Sequence, residues 1–122
     1  MQNERFDRYV TLLSDLTRIL PEPGQPREIH HNGKIIPIEL EHLGVKALQT
    51  LIRMGPVLSV IVNVDHSLVR NFVPANGEIN EPGIRLVACT SYALYLTGGP
   101  LLRQKVEQQA DYLASALRWE PN

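Results

Sequence analysis

Apolar residues recur along the chain with two different periods, and each change of period marks an element boundary. Phe6, Tyr9, Val10, Leu13, Leu16 and Leu20, widened by Leu12 and Ile19, fall at steps of three and four, which places them on one helical face. Asn3 can cap the start by accepting from a free first-turn amide. Pro21 ends it, having no amide to give and a ring that clashes with the preceding turn. The spacing predicts a helix over residues 3–20. Pro21, Pro23, Gly24 and Pro26 then form a stiff, extended connection.

Residues 27–31 and 34–38 flank Asn32-Gly33, the pair that tolerates positive φ at both central positions of a tight type I′ turn. A hairpin is expected there. Pro37 cannot donate to a ladder, so the second strand should lie at a sheet edge or be nearing its end. From Glu39 the period lengthens. Leu40, Leu43, Ala47, Leu48 and Leu51 repeat as on a helix over residues 39–54, with Glu39 and Glu41 at its positive end, Arg53 at its negative end, and Gly55-Pro56 as the stop.

Val57, Leu58, Val60, Ile61, Val62 and Val64 make the strongest strand, too continuously apolar to leave one face in water. It should be central or covered on both faces. Residues 68–73 read as a weaker strand reached through the turn formers Asp65, His66 and Ser67, and Pro74 to Gly83 as a long loop. A further strand is expected over residues 84–90, while residues 91–96 fit either its continuation or a short helix capped by Ser91. Pro100 suits the first position of a last helix, with Leu102, Val106, Ala110, Leu113 and Leu117 on its buried face and Trp119 closing an end of the core. The expected fold is a single α+β domain over residues 1–122. Its antiparallel sheet of about five strands is flanked by helices in the order α-β-β-α-β-β-β-α.

Composition adds constraints on function. At 122 residues and 43% apolar, one domain buries enough surface to fold without covalent staples. Twelve Lys and Arg against thirteen Asp and Glu lack the basic excess that neutralising nucleic-acid phosphates requires, so nucleic-acid binding is disfavoured. One cysteine, Cys89, cannot form an internal disulfide, and charged residues interrupt the first twenty positions where a signal peptide needs an apolar core. The longest apolar stretch is far too short to span a bilayer. Those features give the expectation of a cytoplasmic protein without a membrane span.

Candidate chemistry is sparse. His30 and His31 are neighbours on a predicted strand and point to opposite faces, so they cannot chelate one ion together; no metal and no cofactor is expected. Asp65 and His66 follow the end of the strongest strand, where a histidine can serve as a base. No Ser or Cys is tied to them by spacing, and a polar turn between two strands is the simpler reading. Cys89 sits in an apolar segment where a thiol behaves as a small buried hydrophobe. Gly98 and Gly99 precede a helix start with Arg103 in its first turn, an arrangement that offers amides and a cation to an anion but lacks the Gly-Lys-Ser/Thr ending of a phosphate loop. Tyr92, Tyr95 and Tyr112 suit either an interface or the rim of the core.

Two resemblances accompany these readings. Gly83, Ile84, Leu86, Cys89, Ala93, Leu94 and Gly98 look like the strand-cysteine-helix segment of the DsrE/TusD-like sulfur-relay proteins, which implies a sulfur-carrying role for Cys89. The expected element order, with Gly98, Gly99, Pro100, Leu101, Leu102 and Arg103 leading into a segment that runs to Leu117, resembles the Roadblock/LC7 domain. That resemblance implies a non-catalytic homodimer, formed through the middle helix and a sheet edge, that acts as scaffold or regulator for a small GTPase or motor. Three functions follow as expectations. The first is an interaction module pairing with itself or a partner protein through an edge strand or the 39–54 helix. The second is a small sulfur-relay-like enzyme using Cys89, with Asp65 or His66 nearby. The third is a structural component of a larger assembly such as a virus particle.

Overall fold

The computed structural model describes residues 2–18 and 24–98. Helix α1, Gln2–Thr17, opens the chain; of the predicted stripe Tyr9 and Leu16 are buried and Leu12 and Leu13 partly so, whereas Phe6 and Val10 are exposed, and Ile19 and Leu20 lie outside the described residues. Strands β1, Glu28–His31, and β2, Lys34–Glu41, form the expected hairpin, in which Asn32 and Gly33 adopt φ of 50° and 74°.

Beyond the hairpin the strand continues rather than ending at Pro37. β2 pairs antiparallel with β1 as far as Pro37, and from Ile38 to Glu41 it pairs parallel with β4, Ser59–Asn63. Ile38 N donates to Arg27 O at 2.9 Å, so ladder alternation turns the nitrogen of Pro37 away from β1, toward the stretch that precedes β4. Its missing amide therefore breaks no bond of the hairpin, and β2 can sit inside the sheet. Strand β3, Thr50–Arg53, pairs antiparallel with β4 on the far side. The order is β1-β2-β4-β3. The α+β class is as expected, but the sheet is mixed, with four strands in place of about five antiparallel ones. All five residues of β4 are buried, in keeping with the central place its composition demands.

Alternation along the strands sends Ile29, Ile36, Ile38, Val60 and Val62 to one face, where they meet Tyr9 and Leu16 of α1 and the apolar side of α3, Glu81–Thr97. Each fully buried aliphatic side chain there stabilises by about 1.5–3 kcal/mol. The Arg85 guanidinium fastens the layers, donating through Nη1 to Glu28 O at 2.8 Å and through Nη2 to Leu16 O at 3.2 Å. Glu28, Ile35, Glu39, Glu41, Leu51, Arg53 and Ile61 occupy the opposite face, which no helix covers among the described residues.

Three segments differ from expectation. Residues 39–54 form no helix: β2 runs to Glu41, a loop follows, and residues 50–53 are β3. The leucine spacing there coincides with a helical period by accident, since Leu48 and Leu51 face solvent and Gly44 has a φ of 100° that a helix does not permit. Residues 68–73 are not a strand but the short helix α2, Ser67–Arg70, and the turn after it. His66 caps it, its Nδ1 accepting from Leu68 N at 3.1 Å.

Residues 84–90 are likewise helical, part of α3, and so are the undecided residues 91–96. Asn80 caps this helix through Oδ1 to Gly83 N at 3.1 Å, with Pro82 in the first turn. Gly83 also leaves the space that the Phe72 ring fills, which binds the 71–80 loop to the helix. Among the described residues the order is thus α-β-β-β-β-α-α, where the expectation for the same stretch is α-β-β-α-β-β-β. The last helix expected after Pro100 lies outside the described residues. No helix among the described residues is long and apolar enough to cross a membrane.

Candidate functional site

β2 and β4 are parallel neighbours that end side by side at Glu41 and Asn63. To reach β3, the chain leaving β2 must cross the end of β4, and the 42–49 loop makes that crossing. Loops diverging from the carboxyl ends of parallel strands form crevices suited to ligands. The crossing is fixed by Asn63, whose side chain is fully buried. Its Oδ1 accepts from Leu43 N and Asp65 N, both at 3.0 Å. Its Nδ2 donates to Gly44 O at 2.9 Å and to Leu48 O at 3.1 Å. A buried amide that completes four bonds is a strong positional device, because any substitute strands several of its partners.

Asp65 adds a second tie to the same loop. Its Oδ2 accepts from Gly44 N at 2.9 Å, while Oδ1 lies 2.8 Å from Nδ1 of His42. The hydrogen bond from His42, then the Gly44 amide, hold the Asp65 carboxyl below the ordinary carboxylate range. With Asp65 ionised, Nδ1 of His42 donates to it, which in a neutral ring leaves Nε2 as the acceptor. This is the orientation a general base needs. Among the described residues, however, no Ser, Thr or Cys hydroxyl or thiol bonds to His42, so no nucleophile completes the set.

Beside these ties lies a cleft of about 330 Å³, lined by Val45, Lys46, Leu48 and Gln49 of the crossing loop and by His66 and Ser67 at the start of α2. Gln49 is only 5% exposed, and its Oε1 has no hydrogen-bond partner among the described residues.

Asp65 and His66, adjacent in sequence, thus have separate tasks: one braces the crossing loop, the other caps α2. The polar turn containing them joins β4 to a helix, not to a second strand. His42 is the actual partner of Asp65 across 23 positions, a separation that no local spacing reveals. Cys89 lies on α3 rather than on a strand, fully buried, with Sγ 3.9 Å from Leu16 O. Burial pushes its thiol pKa up, against a smaller opposing effect of Arg85. Of the anion candidate, Gly98 ends α3, its amide bonded to Leu94 O at 2.7 Å, while Gly99 and Arg103 lie outside the described residues.

His30 pairs with Glu28 at 3.1 Å, and His31 meets the ring of Tyr92 edge-on. Tyr92 is buried and stacks on the half-exposed Tyr95; Tyr112 lies outside the described residues. No three His, Cys, Asp or Glu side chains gather as metal ligands among the described residues.

Comparison with protein families, with curated proteins and with solved structures finds no match to this chain. The reading of its function rests on its own surface.

Proposed function

We propose that this protein is a non-catalytic interaction module that pairs with a second copy of itself through the outer ribbon of the sheet, residues 45–57. One observation carries the reading. Val45, Leu48, Leu51, Met54 and Val57 are 65, 51, 45, 67 and 59% exposed, so five of the eleven large apolar side chains exposed among the described residues fall in this one ribbon. Single exposed apolar residues are ordinary, whereas a group of them along a sheet edge favours a contact surface. Tyr95 extends the group, its hydroxyl 3.7 Å from the Met54 sulfur.

A second copy suits the ribbon because of its charges. Lys46 and Arg53 are its only charged residues, and Arg53 is already held by Glu39 and Glu41. A two-fold contact centred on Leu51 sets that side chain against its own copy without opposing like charges. The edge strand replaces the middle helix as the pairing element. A small GTPase is the further partner implied by the Roadblock/LC7 resemblance, whose wording lies almost wholly outside the described residues. A free thiol kept in the interior suits the cytoplasm.

Leu51→Glu with Met54→Glu tests the reading by size-exclusion chromatography with light scattering. The double variant is expected to run as a monomer with an unchanged circular dichroism spectrum, where the native chain runs as a dimer. Equal masses for the two proteins would remove the ribbon from the account.

A further inference from the structure

We infer that Asn76 is a site of self-modification: in the folded chain its side-chain amide is lost through attack by the Gly77 nitrogen, leaving aspartate or isoaspartate at position 76, while Asn32 before Gly33 is spared. These are the two Asn-Gly pairs of the sequence. Glycine is the neighbour the reaction favours, because no side chain shields its nitrogen.

The step balances with water alone. Hydroxide takes the proton of the Gly77 amide and the nitrogen attacks Cγ of Asn76. The Cγ–Nδ2 bond breaks as Nδ2 takes a proton from water and leaves as ammonia. A further water then opens the five-membered imide at either carbonyl. Opening at one restores the original backbone as aspartate, and opening at the other routes the backbone through the side chain as isoaspartate.

Geometry separates the two pairs. Ring closure needs the following nitrogen eclipsed with Cβ of the asparagine. Asn32 and Gly33 have φ of 50° and 74°, the type I′ turn. In such a turn ψ at the first central residue is about +30°, the mirror image of type I, which places the Gly33 nitrogen nearly opposite Cβ of Asn32. Rotating it into place opens the hairpin at its tightest point. Ile38 N donating to Arg27 O fixes the ladder alternation and makes His31 and Lys34 the hydrogen-bonded pair that closes the turn.

Asn76 and Gly77 carry no such restraint. Both are exposed, in a loop whose ends are clasped: Asn80 N donates to Phe72 O at 2.8 Å, and the Phe72 ring fills the space that Gly83 leaves. Between those ends, residues 74–79 make no hydrogen bond among the described residues. Gly77 has a φ of 134°, and only Pro74 Cγ, at 3.7 Å, comes within 4 Å of where a Cβ would stand. The Asn76 backbone therefore turns into the reactive geometry without breaking a bond of the fold. The product carries one more negative charge beside Glu78 and leaves the clasp as it was.

The test is ageing of the full native chain at mildly alkaline pH, with tryptic mapping by mass spectrometry at intervals. Cleavage after Arg27 and Lys34 isolates Asn32 in residues 28–34, and cleavage after Arg70 and Arg85 isolates Asn76 in residues 71–85. In the folded chain residues 71–85 are expected to convert at least roughly tenfold faster than residues 28–34. Fragment masses should place the change at position 76 rather than at Asn71 or Asn80. In denaturant, where the hairpin is lost, the two rates should converge, and Asn76→Gln should abolish conversion of residues 71–85 in the folded chain. Equal or reversed rates in the folded chain, a preference for Asn76 that survives in denaturant, or conversion of residues 71–85 that persists in Asn76→Gln would each overturn the proposal.

Discussion

Arg53 reaches across the central strand to hold Glu41. Nη1 donates to Oε2 at 2.8 Å and Nη2 to Oε1 at 3.0 Å, although Arg53 belongs to β3 and Glu41 to β2, with β4 between them. The register sets Arg53 beside Ser59 and Glu41 beside Asn63, so the pair runs diagonally over Ile61. Ile61 is fully buried on a face that has no helix over it among the described residues, and the register sets this ion pair where it can shield that side chain. Arg53 contributes its alkyl stem as well as its charge. Ile61→Ala is expected to cost about 2–4 kcal/mol in urea unfolding. A cost below about 1 kcal/mol would show that the ion pair is no effective cover.

Acid should loosen this face and the crossing loop together. The hydrogen bond from Arg53 lowers the Glu41 pKa, and the one from His42 lowers that of Asp65. A carboxyl with a depressed folded-state pKa adds stability that is present above its unfolded value and lost as pH falls through the folded one. Stability is therefore expected to fall below about pH 4.5, and Arg53→Met should make that fall shallower. An identical pH profile for Arg53→Met would remove Glu41 from the acid response.

Asn63 is the residue whose loss should most disturb the site. Asn63→Ala leaves Leu43 N, Asp65 N, Gly44 O and Leu48 O without their partner and is expected to cost on the order of 3–5 kcal/mol. Hydrogen exchange at the Leu43 amide should accelerate more than at the amides of α1. A uniform acceleration would mean that the side chain stabilises the whole fold and does not specifically hold the loop.

Within the core, Thr50 Oγ1 donates to Ser91 Oγ at 2.8 Å and joins β3 to α3. Thr50→Val and Ser91→Ala should each cost about 1–2 kcal/mol, and the double variant less than their sum, since both single changes remove the same buried hydrogen bond. Strict additivity in a double-mutant cycle would show the two hydroxyls to be energetically independent.

Cys89 provides a check on the sulfur-relay alternative. Enclosed beneath α1, with its thiol held protonated by burial, it should resist alkylation at neutral pH in the native protein and react fully in denaturant. Rapid labelling of the folded chain would restore Cys89 as a candidate carrier.

The parts of the fold legible in the sequence are those fixed by local chemistry. The stripe from Phe6 to Leu16, the Asn32-Gly33 turn and the apolar run around Ile61 each state their structure without help from distant residues. Where tertiary partners decide, the local pattern misleads. Leu40 to Leu51 follows a helical spacing, but pairing with β4 and the bonds of Asn63 draw its ends into strands. Ile84 to Thr90 contains enough Ile, Val and Leu to look like a strand. The Asn80 cap and Pro82, which mark a helix start, were the available signal for α3. The site was half legible: Asp65 stands out at the end of its strand, while its partner His42 and the buried acceptor of Gln49 depend on a chain crossing that spacing does not encode.

The most direct test of the interaction reading is a sedimentation equilibrium series on the native chain from micromolar to millimolar concentration. A mass that rises toward twice the chain mass as concentration increases is the result expected from pairing through residues 45–57. A single-chain mass across the whole range would contradict it.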